Sequence, residues 1–198
     1  MANDRLRINE IFHSIQGEST RVGLPCVFIR LTGCHLRCTY CDTEYAFKEG
    51  EWGSFDDIIE EVRTYSTRLV EITGGEPLLQ PGCRALAAAL REETGKKVLL
   101  ETNGSRDISA VPEGVVTIMD VKCPGSGEAG SLDAANLARL RPQDEVKFVL
   151  MNRSDYDWAR RFLEEHDLAA RCGAVLFGPV HGVLNTKLLA EWIVEDAL

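Results

Sequence analysis

Basic charge is scarce in this chain. Its 22 Lys and Arg face 31 Asp and Glu, a formal charge of -9 that repels a phosphate backbone rather than gathering it, so no general nucleic-acid binding is expected. No apolar run reaches membrane length, and the opening stretch MANDRLRINEIFHSIQGE has neither the apolar centre of a signal peptide nor the Arg- and Ser-rich, acid-poor composition of a transit peptide. The expectation is a cytoplasmic protein with no membrane partner. Low-complexity stretches, internal repeats and Pro/Ser-rich linkers are also missing, and 198 residues suit one hydrophobic core, so residues 1–198 read as a single domain. A second C-x2-C pair is lacking too, which leaves the usual structural zinc pattern incomplete.

Cysteine, by contrast, is present at seven positions: 26, 34, 38, 41, 83, 123 and 172. A reducing compartment would keep them from pairing, so clustered cysteines point to metal or catalysis. Cys26, Cys83, Cys123 and Cys172 are scattered among apolar neighbours and read as small buried hydrophobes. Cys34, Cys38 and Cys41 sit together in FIRLTGCHLRCTYCDTEYAF, spaced C-x3-C-x2-C. Zinc would need a fourth ligand, His35 or a distant cysteine, and fits poorly. A [4Fe-4S] cluster held by three thiolates instead leaves one iron open to a small molecule.

Around this loop, apolar β-branched runs at 26–31, 68–73, 97–102, 115–121, 145–151 and 173–179 read as buried strands. Helical patterns lie between several of them: SFDDIIEEVRTYS with Ser54 as N-cap and Asp57 three residues on, CRALAAALREETG ending at Gly95, SDYDWARRFLEEHDL, and NTKLLAEWIVEDAL. Alternation of this kind implies parallel pairing and right-handed crossovers. Six strands are too few for a complete eight-fold barrel, so the expected fold is α/β, a partial (open) TIM-like barrel of about six parallel strands with flanking helices. Chemistry in such sheets collects at the carboxyl ends of the strands, where TGC, TGGEP, ETNG and DVKCPGSG fall.

CHLRCTYC resembles the cysteine loop of the radical S-adenosylmethionine enzymes, and TGGEP at 73–77 resembles their glycine-rich methionine-binding element. Within that superfamily SIQGES, FIRLTGC, CDT, ITGGEP and ETNG are similar to the 7-carboxy-7-deazaguanine synthases of queuosine and 7-deazapurine biosynthesis. The likeness covers roughly residues 8–125. It implies a [4Fe-4S] cluster on Cys34, Cys38 and Cys41, with S-adenosylmethionine chelating the remaining iron and yielding a 5′-deoxyadenosyl radical. It further implies cofactor contacts at Tyr40, Asp42, Gly75, Asp120, Val121 and Lys122, although many relatives carry Ser-Pro-Lys where this chain has Asp-Val-Lys. Gly74 and Gly75 would permit close backbone approach to the methionine part.

The implied substrate is 6-carboxy-5,6,7,8-tetrahydropterin, which loses hydrogen at C6 and contracts its ring with loss of ammonia. Ile15, Gln16, Gly17, Arg30 and Thr73 would contact it, Arg30 by pairing with its carboxylate. Thr43 would supply an oxygen to Mg2+. The resemblance also implies an electron donor such as flavodoxin or ferredoxin, and a homodimer. Ser19 departs from the family, which usually has Gly after QGE.

Plainer readings stand beside these. Gly74 and Gly75 also suit a strand-to-helix turn, Glu76 and Glu101 suit structural carboxylates, and Arg30 could pair with a neighbouring acid. His13, His35, His166 and His181 read as surface or packing residues, and Met119 and Met151 as core. A glycyl-radical activase and a non-catalytic iron-sulfur or zinc module remain as rival functions.

Overall fold

The computed structural model describes residues 4–198. Its strands are β1 (Arg5–Ile15), β2 (Pro25–Leu31), β3 (Glu51–Ser54), β4 (Leu69–Gly74), β5 (Lys97–Thr102), β6 (Val116–Asp120), β7 (Glu145–Leu150) and β8 (Ala174–Pro179). They form one sheet in the order β3-β1-β2-β4-β5-β6-β7-β8. From β2 to β8 every neighbour is parallel, giving the six parallel strands expected from the apolar runs. Strands β1 and β3 extend the sheet antiparallel beyond β2, and neither was anticipated. The alternation in β1 is broken by a register shift between Ile8 and Glu10, and β3 has four residues including Gly53, so neither presents a continuous apolar run.

The helices are α1 (Phe55–Thr64), α2 (Cys83–Thr94), α3 (Arg153–Glu165), α4 (Leu168–Arg171) and α5 (Thr186–Glu195). Helix α1 starts where its sequence specifies. Ser54 Oγ accepts from the Asp57 N–H, and the Asp57 carboxylate accepts from the Ser54 N–H, a reciprocal capping box. Ile58, Ile59 and Val62 then turn one face into the core. Helix α2 stops at Gly95, which takes φ 66° and donates its N–H to Arg91 O.

Period-two alternation divides the residues of each parallel strand between two faces. Val27, Ile29, Leu31, Val70, Ile72, Val98, Leu100, Val146, Phe148 and Leu150 belong to the large core beneath the helices. On the other face Cys26, Phe28, Leu69, Leu99, Val116 and Ile118 form a smaller apolar layer, joined by Phe12. Two positions farther along these strands, that same face carries Arg30, Glu71, Glu101 and Asp120 instead, with Lys147 on the neighbouring β7. It is thus apolar towards the amino ends of the strands and charged towards the carboxyl ends.

The crossovers from β5 to β6 and from β6 to β7 contain no α-helix. Asn136, wholly buried, holds this irregular region together by donating through Nδ2 to Gly104 O and Arg106 O at 2.8 Å each, while its Oδ1 accepts from Ile108 N at 3.1 Å. No helix among the described residues is long and apolar enough to cross a membrane.

Candidate active site at the carboxyl ends of the strands

The cysteine loop leaves the end of β2 and is fastened to the crossover from β6 to β7, which lacks an α-helix. Thr39 donates its N–H to Ser126 O at 3.0 Å and its hydroxyl to Gly125 O at 2.8 Å, while the Arg37 N–H reaches Glu128 Oε1 at 2.7 Å. The Arg37 guanidinium lies 4.2 Å from the centre of the Phe47 ring and donates to Cys34 O at 2.9 Å. So held, Cys34, Cys38 and Cys41 are free, half-buried, and line one cavity of about 550 Å³. Burial pushes the Cys34 and Cys38 thiols up, opposed at Cys34 by the Leu36 backbone and at Cys38 by the Lys122 charge. Among the described residues no three His, Cys, Asp or Glu side chains are arranged to hold a single metal ion, the three thiols included. Spread around a cavity, they suit a larger cluster. The other cysteines are buried, with burial raising the Cys26 and Cys83 thiols to about 12, as inert packing groups require.

TGGEP follows at the end of β4, and here the structure adds a reason for the glycines. A Cβ on Gly74, whose φ is +149°, would sit 2.2 Å from Leu31 O, and one on Gly75 would sit 2.3 Å from Gly33 O and 2.8 Å from Cys34 Cβ. At both positions the end of β4 and the start of the cysteine loop touch backbone to backbone, and both glycines also line the cavity that holds the thiols. Glu76 is wholly buried and accepts from Leu78 N at 2.9 Å, Thr102 Oγ1 at 2.8 Å and Asn103 N at 2.7 Å. It is a structural carboxylate tying β4 to β5.

Of the other anticipated residues, Gln16, Gly17, Arg30, Thr73, Tyr40, Asp42, Thr43, Gly75, Asp120 and Lys122 line the same cavity as the thiols. Ile15 and Val121 do not. Ile15 is 63% exposed at the end of β1, and the Val121 side chain is 1% exposed within the core while its N–H is committed to Lys147 O at 2.8 Å. Arg30 Nε meets Glu10 Oε1 at 2.7 Å, and its guanidinium lies 5.6 Å from the Phe12 ring centre and 5.8 Å from that of Tyr45. The acidic neighbour foreseen for it is therefore real, and Nη1 and Nη2 form its free edge. Thr43 Oγ1 donates to Asp42 Oδ1 at 2.8 Å, and Tyr40 donates its hydroxyl to Val149 O at 3.2 Å. Ser19 adopts φ 64°, the left-handed backbone that glycine would take without strain, so the turn after QGE is made despite the substitution.

Sequence reasoning missed Glu18, Glu71, Asn103 and Lys147, and placed His181 among packing residues; all five line the cavity. The signal was there for two of them, since Glu71 and Lys147 interrupt the apolar runs RLVEIT and EVKFVLM. Lys147 donates to Glu101 at 2.6 Å and Glu18 at 2.5 Å, with Asp120 at 3.8 Å, while Lys122 donates to Asp120 at 2.8 Å. Burial works to raise the Asp120 carboxyl, yet the two ammonium groups hold it below the usual range. Two polar atoms of the cavity wall, Asn103 Nδ2 and Asp120 Oδ1, are buried without any partner. Buried polar atoms call for a partner, and both of these residues line the cavity.

Residues 28–121 match the Radical SAM superfamily. The 7-carboxy-7-deazaguanine synthase of Koribacter versatilis strain Ellin345 is 46% identical, the alignment covering 98% of this chain and 91% of that protein. The chain belongs to the 7-carboxy-7-deazaguanine synthase family. The synthase of Chlorobaculum tepidum is 44% identical over 98% of this chain and 88% of its own. The fold of the Escherichia coli protein in "Crystal structure of QueE from Escherichia coli" superposes with a TM-score of 0.78, at 24% identity, covering 98% of this chain and 91% of that one. For a radical SAM protein of this family a [4Fe-4S] cluster and S-adenosylmethionine are implied, and the site fits both. Three thiols face a cavity that also offers an unpartnered donor and an unpartnered acceptor.

Proposed function

We propose that this chain, as one catalytic unit over residues 1–198, converts 6-carboxy-5,6,7,8-tetrahydropterin to 7-carboxy-7-deazaguanine and ammonia, acting as a lyase in queuosine and 7-deazapurine biosynthesis. The observation that carries the reading is the meeting of the three thiols with Arg30, Gln16 and Thr73 in one cavity of about 550 Å³. When bound, the cluster and S-adenosylmethionine supply hydrogen abstraction. Cys34, Cys38 and Cys41 would hold the cluster, and Asn103 Nδ2 with Asp120 Oδ1 would meet polar groups of S-adenosylmethionine. Arg30, its Nε anchored by Glu10, would grip the substrate carboxylate through Nη1 and Nη2. Thr43, whose proton goes to Asp42, keeps lone pairs for a Mg2+ that would also touch the substrate. Gln16, Gly17 and Thr73 would border the ring, and Leu36, Phe47 and Val149 would keep water out.

A flavodoxin- or ferredoxin-type donor, a homodimer and a cytoplasmic setting complete the reading. The first two rest on the family likeness, and the third on seven free cysteines. Anaerobic reconstitution with iron and sulfide, then S-adenosylmethionine, Mg2+, the pterin and a reduced flavodoxin or a chemical one-electron reductant, followed by mass spectrometry, tests it. The expected result is 7-carboxy-7-deazaguanine in many turnovers per enzyme with S-adenosylmethionine regenerated. Stoichiometric 5′-deoxyadenosine with no deazapurine would overturn it.

A further inference from the structure

We infer that Glu145 is a positioning residue for the cavity: it anchors the strap of residues 16–24, between β1 and β2, which carries Gln16 and Glu18 to the cavity wall. The strap crosses the face of the sheet that bears the site. Gln16 Nε2 donates to Glu71 on β4, Lys147 on β7 donates to Glu18, and Glu145, two residues before Lys147 on the same face, takes Thr20 and Arg21; β5 and β6 lie between. Glu145 Oε2 accepts from the Thr20 N–H at 3.1 Å, and its Oε1 accepts from the Thr20 hydroxyl at 2.6 Å and from Arg21 Nη1. All three donors belong to the strap. Its root is closed by the Gln16 N–H on Leu24 O and the Gly23 N–H on Gln16 O, each at 2.8 Å, so the far end and Gln16 are parts of one hydrogen-bonded loop.

Within the sheet Glu145 has no partner. It is 2% exposed, and the residues beside it are Ile118 of β6 and Ala174 of β8, neither of which can pair with a carboxylate. A charge taken out of water is costly unless it is paired and hydrogen-bonded, and among the described residues the strap alone supplies both. The strap needs the anchor in turn. From Gln16 to Leu24 only Gln16 and Ser19 are buried, and neither is apolar, so the segment is placed by polar bonds rather than by a core of its own. Of its three anchors, Glu71 and Lys147 line the cavity, whereas Glu145, Thr20 and Arg21 do not. Glu145 therefore acts on a ligand through the strap and, resting on the proposed function, that ligand is the pterin. A strap left loose would have to be ordered when the pterin binds, which weakens binding.

Steady-state kinetics of the reconstituted protein test this. Glu145→Ala should raise the KM for the pterin on the order of tenfold and keep kcat within about twofold of the parent, because it removes binding and leaves the reacting centre alone. Glu145→Gln keeps an oxygen for Thr20 but loses the Arg21 ion pair, so its KM should lie between the two. Iron content, and cleavage of S-adenosylmethionine by a chemical reductant without pterin, should stay at parental values in both. Hydrogen–deuterium exchange read by mass spectrometry is independent of turnover: in Glu145→Ala the amides of residues 16–24 should exchange on the order of tenfold faster, with β4 and β5 unchanged. Arg21→Gln removes the same ion pair from the strap side and decides the matter by the same two measurements if Glu145→Ala does not fold. Parental KM or parental exchange overturns the inference. So does loss of iron, or a fall in kcat with KM unmoved, either of which would make Glu145 a merely structural residue. Failure of the parent to turn over the pterin, with exchange behaving as stated, would instead count against the proposed function alone.

Discussion

Arg30 has divided obligations, since its Nε edge is spent on Glu10 and only the Nη1 and Nη2 edge remains for a ligand. Lysine has one nitrogen and cannot do both. Arg30→Lys should lower kcat/KM by on the order of ten- to a hundredfold, the equivalent of one charge-assisted hydrogen bond of about 1.5 to 3 kcal/mol, with iron content unchanged. Steady-state assays beside iron determination check this; parental kcat/KM would remove Arg30 from the substrate site. Arg30, Thr43 and the cysteines were legible because they stand in short motifs whose spacing has a chemical meaning. Lys147 was not. An ammonium inside a strand reads as a residue on a wet face, and only the three-dimensional meeting of β4, β5, β7 and the β1 end shows that its partners are the carboxylates of Glu101 and Glu18.

Between elements, the closest tie is the contact of β4 with the cysteine loop. Gly75→Ala places a methyl 2.3 Å from Gly33 O and must displace the loop that carries Cys34. Its iron content after reconstitution should fall severalfold while the circular dichroism of sheet and helix persists; full iron loading would show that the loop yields without cost. Ser54→Ala is the contrast. It removes one half of the α1 capping box and should cost about 1 kcal/mol in urea unfolding with iron untouched. The same comparison explains how far the fold could be read. Six parallel strands and the four longer helices announce themselves through apolar runs and caps, whereas β1 and β3 are built from half-exposed residues whose place is fixed by pairing with β2 and with each other.

At the scale of the whole molecule, β1 covers the edge of β2 and delivers Gln16 and Glu18 to the cavity. A chain beginning at residue 25 would bare that edge, and an uncovered apolar edge strand recruits other chains. It should scatter light on refolding and bind little iron, and a clear monomeric solution would contradict this. The apolar layer of Cys26, Phe28, Leu69, Leu99, Val116 and Ile118, with Phe12 stacked on Phe28 at 5.0 Å, closes the cavity from the amino ends of the strands. A floor of carbon and sulfur turns charge away, so polar ligands come and go on the carboxyl side, among walls that include Pro179, Val180 and His181, and the pace of that traffic bears on turnover as directly as the bond-breaking within.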